Sequence, residues 1–102
     1  MGILDGFMNI KQIKITLIKE KPLLIKKFHV KTIGVFGSYA REEQTAKSDI
    51  DILVEFSKPV GWEFIDLKEH LEKMYGKKID LVTVKALKPQ IKKNILSETQ
   101  YA

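Results

Sequence analysis

Apolar residues return at helical spacing early in the chain. Ile10, Ile13 and Leu17 stand between lysines, which predicts an amphipathic helix over roughly residues 8–20. Pro22 suits the first turn of a second helix that carries Leu24 and Phe28 inward. The period then changes. Val30–Phe36 (VKTIGVF) is rich in β-formers and stops at Gly37, the pattern of a strand running into a tight turn. Ser38 has an N-cap side chain, with Tyr39–Glu43 as a short helix and Glu42 and Glu43 near its positive end. After the polar EQTAKS loop, DIDILVEF alternates. Ile50, Ile52 and Val54 share one face; Asp49, Asp51, Leu53 and Glu55 share the other.

KPVG interrupts the pattern, and residues 62–75 read as a helix with Phe64, Leu67, Leu71 and Met74 on one stripe. Gly76 stands where a helix ends. KKIDLVTV is a third strand, with Ile79, Leu81 and Thr83 facing away from Asp80, Val82 and Val84. Pro89 opens a last short helix through Leu96, beyond which the tail is expected to fray. The order ααβαβαβα predicts an α/β (α+β) protein, a small sheet with helices packed on it. Residues 1–102 are expected to form one domain with its core at about 8–96.

The absence of cysteine excludes disulfides and thiolate metal sites, and two histidines are too few for a histidine-rich zinc site. No run is long enough to span a membrane, and the start lacks a signal-peptide profile. MGILDG starts like a myristoylation signal but has Gly6 where Ser or Thr is needed. These features predict a cytoplasmic soluble domain. The charge of +5 is uneven: residues 1–31 and 77–102 are basic, while residues 32–76 are acidic. The lysine-rich ends are either a solvated surface or a field that attracts polyphosphate or nucleic acid.

The acidic middle holds the candidate chemistry. Asp49 and Asp51, two apart on a strand, point the same way, and repulsion would protonate one of them unless a cation held both. If the next strand is a neighbour, Asp80 lands beside Asp51 on the same face. Three carboxylates without histidine or cysteine favour a hard cation, Mg²⁺ or Mn²⁺. Gly37-Ser38 supplies the complement: glycine lets a phosphate approach the backbone, while the serine hydroxyl and amides donate to it. An anion cradle beside a carboxylate cage suggests phosphoryl or nucleotidyl transfer.

GSYAR, six residues, then SDID resembles the G-S-x-A-R…S-D-x-D signature of the DNA polymerase β-like nucleotidyltransferases, with the spacing of the minimal nucleotidyltransferases (MNT). The resemblance runs from about Lys11 to Leu96 and implies the polymerase β-like fold with a small mixed sheet. One position departs: Glu42 stands where the family usually has glycine, which would permit a positive φ.

The resemblance implies that Asp49 and Asp51 bind two Mg²⁺ ions, and that Asp80 completes one metal site and helps deprotonate the attacking hydroxyl. Gly37 and Ser38 would hold the β- and γ-phosphates of ATP. Arg41 would either brace the loop or touch phosphate. Ser48 would cap the strand entry and orient Asp49 at the edge of the nucleotide site. A chain without an acceptor-binding domain fits the MNT antitoxins, which transfer AMP to a tyrosine of a helical HEPN ribonuclease toxin. Two other readings stand beside it. One is a silent module that masks the toxin by contact; the other is a nucleic-acid binder using the lysine-rich ends, although no basic–aromatic interleaving supports it. Trp62 is expected as an exposed anchor and Phe64 in the core, while His29 and His70 have no partner suggesting catalysis.

Overall fold

The computed structural model describes residues 8–102; the reading of the MGILDG start lies outside them. The first helix, α1, runs unbroken from Ile10 to Phe28. Asn9 caps it with a capping box: its side chain accepts from the Gln12 N–H while the Gln12 side chain accepts from the Asn9 N–H, both at 3.0 Å. The expected break at Pro22 does not occur. An interior proline forfeits one helical hydrogen bond and costs about 3 kcal/mol. Leu24 and Phe28 continue the buried face of Ile13 and Leu17, so one helix buries all four where a break would misplace the second pair. His29 ends α1 in the left-handed region, φ 60.

The strands follow the alternation. β1 (Val30–Phe36) pairs antiparallel with β2 (Ile50–Phe56), which pairs parallel with β3 (Ile79–Thr83). The tail, for which the sequence predicts fraying, instead forms a strand. β4 (Gln100–Tyr101) pairs antiparallel with β1 and completes a mixed sheet of order β3-β2-β1-β4. Gly34 admits it: a Cβ there would stand 2.7 Å from Thr99 Cγ2 and 2.9 Å from the Gln100 carbonyl oxygen.

The main core lies on one face of the sheet, where Ile33, Val35, Ile50, Ile52, Val54, Ile79 and Leu81 meet α1 and α3 (Trp62–Tyr75). Gly76 ends α3 at φ 62, as its position predicts. Phe64 packs half-buried against this core, while Trp62 is 77% exposed. The opposite face is covered more thinly. There Phe36, Leu53 and Leu87 meet Val82, Val84 and, from α4 (Pro89–Glu98), Ile95 and Leu96. That face also carries Asp51, and its open end is where the candidate chemistry gathers.

Candidate active site

Parallel pairing of β2 with β3 sets Asp51 directly opposite Asp80, the neighbour relation the sequence pattern had made conditional. Antiparallel pairing with β1 sets Phe36 opposite Asp51, which brings Gly37 alongside the same carboxylate. One residue, Asp51, therefore meets both halves of the motif.

Asp51 is half-buried, and its carboxyl is pushed up to about 6. Burial is the largest cause, followed by the Asp80 charge, a hydrogen bond with Asp80 and the charge of Asp49; Arg41 pulls weakly the other way. Below about pH 6 a proton on Asp51 relieves this repulsion; above it, a cation would have to. Asp49 precedes β2 and is exposed at its entry. Among the described residues, no group of three acidic, histidine or cysteine side chains is arranged ready to hold a metal ion. The donors nonetheless fit one. They are hard carboxylate oxygens, two of them in contact, in an environment that penalises their joint negative charge.

Gly37 is required here on two counts. Its φ is +73, and a Cβ would overlap Asp51 Oδ2 and stand 2.9 Å from Asp51 Cγ. The turn that follows, α2 (Gly37–Ala40), differs from the expected Tyr39–Glu43 helix. It starts two residues earlier, with Phe36 at the N-cap and no side-chain cap, so Ser38 lies inside the turn. Its ending explains the shift. The Arg41 N–H bonds to the Gly37 carbonyl, and the Glu43 N–H reaches back to the Ser38 carbonyl at 2.8 Å. Glu42 between them takes φ 58.

That value bears on the departure at position 42. The loop adopts the positive φ that glycine would permit, so the glutamate alters local strain and leaves the backbone path in place. Glu42→Gly is therefore expected to stabilise the protein by about 1 kcal/mol, net of the entropy that glycine adds to the unfolded chain. Urea denaturation of the two proteins checks it; an unchanged or lower midpoint would show that the glutamate conformation is unstrained.

Ser48 bonds within its own loop. Its hydroxyl accepts from the Thr45 N–H at 2.9 Å, while its N–H bonds to the Thr45 carbonyl at 3.0 Å. It closes the turn that delivers Asp49 to the strand and makes no hydrogen bond to Asp49. Arg41 engages two carboxylates: Nε meets Glu43 at 3.0 Å, and Nη1 meets both oxygens of Glu98 at 3.2 Å. Those partners raise the Arg41 pKa, Glu43 first. In this structure Arg41 braces the loop.

Sequence reasoning missed Glu98. Its Oε2 accepts from the Gly37 N–H at 2.7 Å, so a carboxylate oxygen already occupies the first amide of the cradle. Gln100 assists from the same segment, its Nε2 donating to the Ala40 carbonyl at 3.0 Å. The one available signal was an isolated acid in a lysine-rich tail. Conversely, His70 faces Glu20 at 3.1 Å between α3 and α1, away from these groups. A cleft of about 390 Å³, lined by Phe56, Pro59, Val60 and Val84 among others, lies at the opposite end of β2. The carboxylates and the Gly37 turn, which carry the chemistry, decide the site.

Residues 11–102 match the model of the nucleotidyltransferase domain family. The chain belongs to that family. This nucleotidyltransferase is 42% identical to the protein adenylyltransferase MntA of Thermococcus cleftensis over 97 residues, covering 94% of this chain and 98% of the relative. A solved structure provisionally described as a minimal nucleotidyltransferase matches with TM-score 0.78 and 28% identity, over 91% of this chain and 95% of that one. A complex of tri-AMPylated Shewanella oneidensis HEPN toxin with its MNT antitoxin matches with TM-score 0.64 and 20% identity, over 89% and 69% of the two chains. At that identity the likeness shows the fold alone. No described helix of the nucleotidyltransferase is long and apolar enough to cross a membrane.

Proposed function

We propose that this nucleotidyltransferase transfers AMP from ATP to a tyrosine hydroxyl of a helical HEPN-type ribonuclease, the phenol oxygen displacing pyrophosphate at the α-phosphorus, and that it serves as the antitoxin of such a pair in the cytoplasm. The observation that carries the reading is Asp51, which touches Asp80 on one side and packs under Gly37 on the other. Nucleotidyl transfer needs that adjacency, because the attacked phosphorus must lie between the phosphate-holding turn and the carboxylates that receive the acceptor. The naming of the Thermococcus relative as a protein adenylyltransferase supports a protein acceptor, and the HEPN–MNT complex supports the class of partner.

Gly37 and Ser38 hold the β- and γ-phosphates through backbone N–H and hydroxyl, and Arg41 fixes the turn that presents them. Asp49 and Asp51 are the residues that would hold two Mg²⁺ ions, with Asp80 completing one site. Bound there, divalent cations supply charge neutralisation for the triphosphate and acidify the attacking hydroxyl. Asp80 is exposed at the strand edge, where it can accept that hydroxyl's proton from a group presented by a second protein. A tyrosine suits this role, because a phenol of pKa about 10, acidified further by a cation held at these carboxylates, would give up its proton far more readily than an aliphatic hydroxyl.

Intact-mass spectrometry of the co-expressed pair tests the reading. The partner is expected to gain increments of about 329 Da, one AMP residue each, and none beside the Asp49→Asn protein. A partner that stays unmodified yet is neutralised by Asp49→Asn would replace transfer with masking by contact.

A further inference from the structure

α1 turns Ile13, Leu17, Leu24 and Phe28 into the core and leaves a second apolar stripe outside. Ile15, Ile18 and Ile25 are 42, 54 and 50% exposed, and Pro22 between them is exposed as well. Their spacing of three, four and three residues places them at the a and d positions of a heptad. The register then fixes their flanks. Lys14 and Lys21 fall at g, Lys19 and Lys26 at e, so lysine borders the stripe on both sides along its length. Single exposed isoleucines need no explanation, but a ridge in heptad phase edged by one charge does. Beside its first turns lies a cleft of about 250 Å³, lined by Ile10, Lys11, Lys14, Ile15, Ile18 and Gln100.

We propose that the outer face of α1 is a docking seam for an amphipathic helix of a partner protein that carries acidic residues beside its own apolar stripe. Charge selects this occupant. A second copy of the chain would set lysine against lysine whether the two helices ran parallel or antiparallel, whereas glutamate or aspartate at the partner's e and g positions pairs with all four. An anionic membrane would also attract the lysines. A membrane-binding face, however, is broad and carries aromatic residues, while this stripe is two residues wide per heptad and contains none. α1 packs on the face of the sheet opposite Asp51 and Leu53, so a helix in the seam leaves the carboxylates open. The inference is therefore independent of the reaction proposed above.

A synthetic four-heptad peptide with Ile at a, Leu at d and Glu at e and g is the probe, titrated into the full chain by calorimetry; a peptide with Lys at e and g is its control. The Glu peptide is expected to bind with an affinity that falls as salt rises. The Lys peptide should bind at least about tenfold more weakly, the sum of several exposed charge pairs. Replacing Lys14, Lys19, Lys21 and Lys26 by Glu should invert the preference. Lys21 also donates to the Ala102 carbonyl at 2.8 Å, so Ile18→Asp with Ile25→Asp provides a second variant, expected to lose both peptides while keeping the helical circular dichroism of the parent. No binding, equal binding of the two peptides, or binding that survives the aspartates overturns the proposal. So does a solution dimer that Ile18→Asp dissociates, which assigns the seam to a second copy. Adsorption to phosphatidylserine vesicles without peptide binding assigns it to a membrane.

Discussion

Asp49→Asn and Asp51→Asn are each expected to lower AMP transfer about a thousandfold or more while leaving the fold intact. Asparagine keeps the volume and one oxygen of each side chain but removes the charge on which a cation seat depends. At position 51 the same change has a second, opposite effect on stability. The Asp51 carboxyl titrates at about 6 in the folded protein, above its ordinary value of 3.8. Ionising it therefore costs more in the folded than in the unfolded state. That cost is absent below about pH 4, grows as the pH rises to about 6, and is constant above. Asp51→Asn abolishes it. In EDTA at pH 7 the variant is expected to be more stable by the order of 1 kcal/mol, after allowance for solvent screening of a half-exposed group. The difference should vanish near pH 4. Thermal melts at both pH values check the sign, and transfer of radiolabel from ATP checks activity. A variant that labels its partner at the parental rate would remove Asp51 from the site.

Gly37→Ala is expected to be strongly destabilising. An L-residue at φ +73 costs about 1–2 kcal/mol. The new Cβ would also overlap the Asp51 carboxylate, so either the turn or the carboxylate must move. Together these suggest about 3 kcal/mol, a drop in Tm of more than about 10 °C for a domain of this size. Mg-ATP affinity should fall with it, because the turn and the carboxylate would be displaced from each other. The two costs separate in a double variant. Asp51→Ala removes the carboxylate that the new methyl strikes, so Gly37→Ala/Asp51→Ala should be more stable than the sum of the singles predicts. Strict additivity would mean that the backbone strain acts alone.

Features written in local patterns were legible in the sequence. α3 declares itself through an apolar stripe and a terminal glycine, and β2 through an alternation broken only at Leu53; both lie within a residue of their expected limits. The meeting of Asp51 with Asp80 needed only that β2 and β3 be neighbours. What eluded the pattern depends on distant parts of the chain. Pro22 signals a helix start, but the face shared by Leu17 and Leu24 outweighs it. β4 exists because Gly34, far away in sequence, leaves room for Thr99 and Gln100. The left-handed turn at Glu42, by contrast, is local: the Glu42 and Glu43 N–H groups reach back to the Tyr39 and Ser38 carbonyls, and the pointer to it was the glycine that the family usually has there.

The carboxylate of Glu98 gives the turn a further property. Gly37 N–H and Arg41 are already engaged with an anion that belongs to the chain. In the proposed reaction a nucleotide phosphate arriving at that amide is an exchange partner, and its affinity is the difference between two anions. The tethered acid has the advantage of proximity; the triphosphate has the advantage of charge. In that reaction Glu98 would hold the turn in shape and deny it to weak anions, so that orthophosphate at modest concentration would be a poor competitor. Because Glu98 is the last residue of α4 and β4 begins two residues later, the released acid would also loosen the segment that closes the edge of the sheet.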